Sequence, residues 1–331
     1  MRVAVTGATG FAGGVIAARL AAEGHDVLAL GRRAAPPAGL PGATLGYRTW
    51  DLADPSAAPP SELAHVDAVV HAAAHVAPFG PDAPFRAVTV DGTRRLLDVL
   101  DSHVRLIVIG TASVYDPRIS RLCARELEAP VAADRYLNTY ARTKAAQERL
   151  VLERRPDALV LRPRAIWGPG DRTLLPRLLA RVRTGVLPLP AGGRHLISVA
   201  HVETVIAAVL AGLARPAVAG PVNVADMGST TPAALVRRVF AALGRDVRIV
   251  PVPVWSADLA ARLAEATWSL ARPGAEPPLT RYAVAAFARP FTLDTTRLRE
   301  ELGVTGEVDV DREIARIAAG LRTHRREPRV G

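Results

Sequence analysis

Arg2-Val3-Ala4-Val5-Thr6-Gly7-Ala8-Thr9-Gly10-Phe11-Ala12-Gly13 opens the chain, and its reading decides the fold. Residues 2–6 read as a short buried strand. Three glycines follow in a G-x-x-G-x-x-G loop, and residues from Gly13 to Glu23 read as a helix that Gly24 stops. Glycine lets such a turn take left-handed geometry and lets the main chain come close to a ligand. The free N–H groups of a helix start suit a pyrophosphate. The spacing is one residue longer than the common dinucleotide fingerprint G-x-G-x-x-G. A merely tight strand-to-helix turn would need one glycine, not three.

Working outward, Val27–Leu30, Ala68–His71, Leu106–Ile109 and Ala158–Leu161 read as strands. Helical stretches fall between them, at Thr93–Leu100 and from Tyr140 through Glu148 and Leu152. Strands alternating with helices at this spacing imply a parallel sheet covered on both faces. The Pro/Gly/Ala stretch 34–43 reads as a loop. After Arg162-Pro163 the texture changes: a turn at Gly168-Pro169-Gly170, a helix at Leu174–Val182, and a Pro-rich segment to Gly193. Val202–Leu213 then reads as a sheet-covering helix and Pro221–Val224 as a strand, with mostly helix from Thr231 onward. The expected architecture is α/β, a Rossmann-type doubly wound parallel sheet with a smaller, mostly helical C-terminal substrate domain. Residues 1–167, rejoined by 195–225, would form the dinucleotide-binding part; 168–194 and 226–331 would form the substrate part. The cleft between them would hold substrate.

Composition narrows the possibilities. A single cysteine, Cys123, excludes an intramolecular disulfide and any cysteine metal cluster, so no metal is expected and a reducing compartment fits. Met1 runs straight into a strand and a glycine turn, and no apolar run approaches the ~20 residues of a spanning helix. A cytoplasmic protein without stable membrane insertion is expected. The net charge of +10 invites a nucleic-acid reading. Yet the Arg-Arg pairs at 32–33, 94–95, 154–155, 237–238 and 325–326 are scattered, with no aromatic interleaving, so nucleic acid is not an expected partner.

Two further sites speak to the dinucleotide. NAD-binding chains place a carboxylate after the second strand for the ribose 2′-hydroxyl, whereas NADP needs a cation and no nearby anion. Here Leu30-Gly31-Arg32-Arg33 stands there, favouring the 2′-phosphate and hence NADP(H) over NAD. Asp51, followed by Leu52, offers a carboxylate suited to an adenine amino group. The small residues Ala72-Ala73-Ala74 let a flat cofactor lie against backbone, while His71 reads as a packed histidine.

The only lysine of the chain is Lys144, four residues after Tyr140, among 41 arginines. A position that keeps an ammonium in such a chain calls for a compact point charge that a planar guanidinium cannot imitate. On a helix this spacing puts phenol and ammonium on one face. A cation beside a phenol should lower its pKa from ~10 towards neutrality and make it a usable proton donor and acceptor.

These segments together resemble the extended short-chain dehydrogenase/reductases, the superfamily of NAD(P)-dependent epimerases and dehydratases. The likeness runs through Thr6–Gly13, Asp51-Leu52, His71–Ala74, Val90-Asp91-Gly92-Thr93, Thr111–Tyr115, Tyr140–Lys144, and Leu161-Arg162-Pro163 through Gly168-Pro169-Gly170-Asp171. It implies that Tyr140 is the acid/base, that Lys144 lowers its pKa and holds the nicotinamide ribose, and that Thr111, or less favourably Ser113, binds the reacting oxygen. It further implies cofactor contacts from Gly7, Thr9, Gly10, Phe11, Ala12, Gly13, Arg32, Arg33, Asp51, Leu52, Ala72, Ala73, Ala74, Tyr140, Lys144, Pro163, Ala165 and Ile166. Three departures stand out: Thr89 where the family usually has Asn, Asp116 after Val114-Tyr115 in place of Gly, and Gly31 in place of Asp.

Within the superfamily, sugar-nucleotide dehydratases carry an Asp-Glu pair after the hydroxyl residue; here Ala112-Ser113 follows Thr111. Sugar-nucleotide enzymes also tend to place an arginine on the diphosphate five residues before the position of Val202, where this chain has Ile197. The stretches Glu276–Tyr282, Phe291–Asp294 and Glu301-Leu302-Gly303 resemble the 3β-hydroxysteroid dehydrogenase-like and 3-oxoalkanoate reductase branch. A helix from Trp255 to Trp268 carries Trp255, Leu259, Leu263 and Ala266 on one side, which is expected to pack on the domain and flank an apolar pocket. The function implied is an NADP(H)-dependent oxidoreductase that interconverts a secondary alcohol and a ketone on a hydrophobic, hydroxysteroid-like or 3-oxoacyl-like substrate. The alternatives are a sugar-nucleotide epimerase using the same Tyr/Lys/Thr set and a non-catalytic NADP-binding protein. The expected partner is a small-molecule substrate, and the reading allows a homodimer.

Overall fold

Seven strands carry the architecture: β1 (Arg2–Thr6), β2 (Asp26–Gly31), β3 (Tyr47–Thr49), β4 (Ala68–His71), β5 (Arg105–Ile109), β6 (Leu159–Pro163) and β7 (Gly220–Val224). The computed structural model describes residues 1–36, 46–171, 177, 179, 181–182, 184–272 and 275–324. The strands lie in the order β3-β2-β1-β4-β5-β6-β7, every pair parallel. Successive side chains alternate between faces. Val3, Val5, Val27, Ala29, Val70, Ile107 and Leu161 enter one core; Ala4, Leu28, Leu30, Val69, Leu106 and Val160 enter the other. Both faces are therefore apolar, and both must be covered.

Helices α1 (Phe11–Ala22), α2 (Gly92–Val99), α3 (Thr139–Arg154) and α4 (Val202–Ala214) do the covering. Ile16 and Leu20 of α1 join Val205 and Val209 of α4 in the first core. Leu96 and Leu97 of α2 join Val151 of α3 in the second. The chain leaves β1 towards β2 on one side and later fills β4 on the other, so a crevice opens at the carboxyl ends of β1 and β4. This is the Rossmann-type, doubly wound sheet expected from the sequence. Two edges went unread: the short strand β3, and α1, which starts at Phe11.

The rest of the chain is mostly helical: α5 (Pro232–Ala242), α6 (Val254–Ala271), α7 (Arg281–Ala288) and α8 (Val310–His324). Three small two-stranded pairs knit it together, joining Arg121–Ala124 to Phe291–Leu293, Ile166–Trp167 to Ala200–His201, and Val186–Pro190 to Arg248–Val252. Leu298, Leu302 and Val304 return to the core of the main sheet. Of the helix expected at Leu174–Val182, residues 177, 179 and 181 are helical and the remainder, apart from Val182, lies outside the described residues; so do residues 37–43 of the expected loop. Among the described residues no helix is long and apolar enough to cross a membrane.

The packing of α6 differs from expectation. The large apolar residues Trp255, Leu259, Leu263 and Leu270 face outward, with Trp255 73% and Leu270 86% exposed. The helix instead docks through Ala257 and Ala261 against Val284 of α7. Small side chains let the two helices approach closely, and that turns the bulky strip away. The periodicity was legible, but the buried side is the alanine side.

Helix α3 is seated by polar contacts. Asn138 caps it, its side chain accepting from the Ala141 N–H at 3.0 Å. Its buried face carries Thr143, Lys144, Gln147 and Glu148. Glu148 forms a bidentate pair with Arg162 of β6, both fully enclosed. The remaining Arg162 N–H groups donate to the carbonyls of Glu126 (2.8 Å) and Ala129 (2.9 Å). Removing one partner of such a pair leaves a buried uncompensated charge. Glu148→Ala should therefore lower the unfolding free energy by about 3–5 kcal/mol in urea denaturation. Asp98→Ala, which breaks the solvent-exposed pair with Arg154, should cost less than ~1 kcal/mol.

Candidate active site

A cleft of about 730 Å³ runs from the glycine loop, past the carboxyl ends of the central strands, to α5 and α7. The glycine loop forms one wall. Gly7 has φ +69°, and a Cβ there would stand 2.8 Å from the Ala73 nitrogen and 2.9 Å from the Ala72 carbonyl carbon. A Cβ on Gly13 would stand 2.4 Å from the Gly7 oxygen. The loop is thus folded onto itself and against the end of β4, at a closeness only glycine permits. Gly10 precedes α1 with no side-chain cap, leaving first-turn N–H groups for a ligand. Gly7, Thr9, Gly10, Phe11, Ala12 and Gly13 all line the cleft. This cradle fits a dinucleotide pyrophosphate.

Beyond it, Gly31 ends β2. A Cβ at that position would lie 2.7 Å from Thr9 Cγ2 and 2.9 Å from the Tyr47 hydroxyl, so a carboxylate side chain there would have to displace both. The turn is pinned because the Arg33 carbonyl accepts from the Tyr47 hydroxyl (2.7 Å) and the Thr49 hydroxyl (3.0 Å). Arg32 and Arg33 are exposed at this end of the cleft, and neither pairs with a carboxylate among the described residues. Asp51 is held by the Ala53 N–H at 2.9 Å. Asp51, Leu52, Ala72, Ala73 and Ala74 line the same stretch.

The reactive groups converge at the other end. Tyr140 and Lys144 share a face of α3, as the spacing implies, and Thr111 lies opposite, after β5. Thr111 Oγ1 accepts from the Ser113 N–H at 3.1 Å and donates its own proton to Ser113 Oγ. Thr111 and the Tyr140 phenol both line this end of the cleft, and the Thr111 side chain opposes the rise in the Tyr140 pKa. Ser113 Oγ, 3.2 Å from the Thr111 hydroxyl, in turn meets the Tyr282 hydroxyl at 2.6 Å. The result is a run of hydroxyls along the cleft floor. Pro163, Ala165 and Ile166, just past β6, close the facing wall; Ala165 takes a left-handed φ of 47° to do so.

The electrostatics correct one expectation. Tyr140 is not brought towards neutrality: protein packed around it pushes its pKa up to about 12, with the Thr111 side chain opposing and Tyr282 adding to the rise. The shift is carried by Lys144 instead. Burial brings its pKa down to about 7, offset in part by Glu148. The Lys144 ammonium donates to the Ile109 carbonyl at 2.7 Å and to Gln147 Oε1.

Behind the cleft these contacts continue. Gln147 Nε2 donates to Thr93 Oγ1 at 2.8 Å. Thr93 Oγ1 and Thr6 Oγ1 flank the His71 ring at 2.8 and 2.7 Å, and the Ala73 N–H donates to Thr6 Oγ1 at 3.2 Å. Burial, then the neighbouring Lys144 charge, drives the His71 pKa down to about 3. His71 is thus a neutral packed histidine, as read from the sequence. Gln147, Thr93 and Tyr282 were not read as site residues; only the i+3 spacing of Gln147 from Lys144 could have pointed to one of them. Ile197, Val199, Leu235, Val236 and Phe287 supply an apolar wall.

The profile of the NAD dependent epimerase/dehydratase family matches residues 3–225. The chain is 31% identical to the 2-alkyl-3-oxoalkanoate reductase of Stenotrophomonas maltophilia (strain K279a), over 96% of this chain and 99% of that protein. It is 30% identical to the 4-hydroxy-2-methyl-3-oxo-4-farnesyl-3,4-dihydroquinoline-1-oxide ketoreductase of Stigmatella aurantiaca, over 93% of each. Among solved structures, UDP-glucuronic acid 4-epimerase from Bacillus cereus in complex with NAD shares the fold, with a TM-score of 0.73 at 17% identity over 98% of this chain and 97% of that one.

Lys144 generates a prediction about stability. Its folded pKa lies below the unfolded one, so between about pH 7 and pH 10 the unfolded chain binds the extra proton and the burial penalty fades as pH rises. The stability difference between wild type and Lys144→Met should accordingly move in favour of wild type between pH 7 and pH 10. Denaturation of both proteins at the two pH values measures this, and a difference that stays flat contradicts the shift.

Proposed function

The chain belongs to the NAD dependent epimerase/dehydratase family, and we propose that it is an NADP(H)-dependent oxidoreductase that interconverts a hydrophobic ketone and the secondary alcohol. The observation that carries this reading is the convergence of Tyr140, Lys144 and Thr111 on one end of a largely apolar cleft. A bound nicotinamide would supply the hydride; the protein must orient the carbonyl and manage its proton. Tyr140 stays protonated at neutral pH, which suits giving its proton to a carbonyl oxygen that becomes an alkoxide. Thr111 would turn its hydroxyl proton from Ser113 Oγ to that same oxygen while still accepting from the Ser113 N–H. Lys144, fixed by Ile109 and Gln147, would hold the nicotinamide ribose.

At the far end, the glycine loop would take the pyrophosphate, Asp51 the adenine, and Arg32 and Arg33 the 2′-phosphate. The crowding that a carboxylate at position 31 would meet supports NADP(H) over NAD. The apolar wall and the relatives named oxoalkanoate reductase and ketoreductase favour a hydrophobic ketone. Ile197 on the cleft wall, where sugar-nucleotide enzymes tend to keep arginine, weighs against the epimerase alternative.

NADPH should bind at least tenfold tighter than NADH, a difference of ~1.4 kcal/mol, and Arg32→Ala should erase that gap. Fluorescence titration of both cofactors tests it; equal affinities in wild type would defeat the NADP(H) assignment. Tyr140→Phe should keep NADPH binding while turnover of a medium-chain 3-oxo compound falls ~100- to 10,000-fold. Epimerised UDP- or dTDP-sugars with no net change in NADPH absorbance would replace the reductase reading with the epimerase one.

A further inference from the structure

Five arginines line the cleft, and four have an assignment or a partner. Arg32 and Arg33 stand at the adenine end. Arg177 faces Glu276 at 3.6 Å, and the same carboxylate acts on Arg181. Arg164 differs. It follows the Arg162-Pro163 end of β6 and lines the cleft at the reactive end, together with Ser113 and Tyr282. Its guanidinium lies 4.2 Å above the Phe291 ring. No carboxylate pairs with it and none of its guanidinium N–H groups finds a hydrogen-bond acceptor among the described residues; its Nε is buried without a partner.

A guanidinium presents five N–H donors in a fixed fork and keeps its charge under all ordinary conditions. The side chain is half-buried, and its Nε is enclosed without an acceptor, a cost that a ring face at 4.2 Å offsets only in part. Burial pushes its pKa down, with only the Tyr282 hydroxyl acting against this. Arg164 shares the cleft lining with Tyr140, Thr111, Ser113 and Tyr282, and the Tyr282 hydroxyl acts on Tyr140 as well. Because Arg164 lines the cleft, a ligand there can supply the acceptor that the described residues do not.

We infer that Arg164 binds a carboxylate carried by the substrate next to its reacting ketone, so that the enzyme selects free 3-oxo acids over their esters. The inference rests on the ketone-reductase reading above and names the substrate class for that site. In a 3-oxo acid one carbon separates the carboxylate from the ketone. With the ketone oxygen held by Tyr140 and Thr111, the acid group falls on the side of the hydroxyl run, where Arg164 meets Ser113 and Tyr282. A planar fork matches a carboxylate with two parallel hydrogen bonds, which an ester cannot accept as an anion. The alkyl chain then extends along Ile197, Leu235 and Phe287. The reaction balances as hydride from the reduced nicotinamide to C3 and a proton from Tyr140 to its oxygen, giving the 3-hydroxy acid with the carboxylate intact.

The test uses the full-length protein with NADPH and a matched pair, a medium-chain 3-oxo acid and its methyl ester, followed by cofactor absorbance. Wild type should show kcat/KM for the acid at least thirtyfold above that for the ester. In Arg164→Met this ratio should collapse towards one, mainly through a higher KM for the acid, and Arg164→Lys should restore part of it. A general loss of folding or catalysis lowers both substrates alike and leaves the ratio unmoved. Wild type that reduces acid and ester equally well overturns the role of Arg164 while the reductase reading stands. Wild type that reduces neither, yet binds NADPH, overturns both.

Discussion

The Glu148–Arg162 ion pair, closed off from water on all sides, is the constraint on which the placement of the reactive groups depends. It joins α3 to β6 at one point with fixed geometry, because a bidentate guanidinium–carboxylate pair tolerates little rotation. Everything α3 presents to the cleft is measured from that point: Lys144 one turn before Glu148, and Tyr140 two turns before it. The pair reaches further through Arg162, whose other N–H groups hold the Glu126 and Ala129 carbonyls and meet the Tyr115 hydroxyl at 3.3 Å. Tyr115 in turn donates to Asn223 of β7 at 2.8 Å. A helix held by an oily stripe alone could slide by a fraction of a turn; one pinned by a buried charge pair cannot without exposing the charge.

The second polar layer, from Lys144 through Gln147 and Thr93 to His71 and Thr6, runs under the sheet crevice and ends at the glycine loop. It links the part of the cleft suited to a pyrophosphate with the part suited to proton transfer. Each member of this chain is satisfied by another, so low polarity around it strengthens the contacts instead of penalising them. The demand for an ammonium at position 144 becomes concrete here. One nitrogen on a thin stem serves both the Ile109 carbonyl and Gln147 Oε1, in a chain that uses arginine everywhere else.

Much of this was legible in the sequence because it depends on local rules. The alternating strand residues, the three glycines and the Tyr140–Lys144 spacing each encode geometry within a few positions, and the crevice follows from strand order. What failed to read were quantities set by the whole environment. The tyrosine was expected to be acidified by its neighbour; instead burial dominates at both groups, raising the phenol and lowering the ammonium. The bulky strip of α6 was assigned inward by size, yet Ala257 and Ala261 allow the closer approach. Short pairings such as Arg121–Ala124 with Phe291–Leu293 join segments far apart in sequence and leave no periodic trace. Arg164 was hidden by its own composition, one arginine among 41, until the absence of an acceptor set it apart.

Because Lys144 is the only lysine and is 3% exposed, a lysine-specific protease meets one cleavable bond in the entire chain, and that bond is inside α3. The intact fold presents it no extended segment to grip. Cleavage into pieces of residues 1–144 and 145–331 therefore reports a single event, the opening of α3, without the background of surface nicking that complicates digestion of most proteins. When opening and closing are fast beside cutting, the rate of that one cut follows the equilibrium population in which α3 has come away. The composition of this chain has thus placed a molecular tripwire beside its candidate active site.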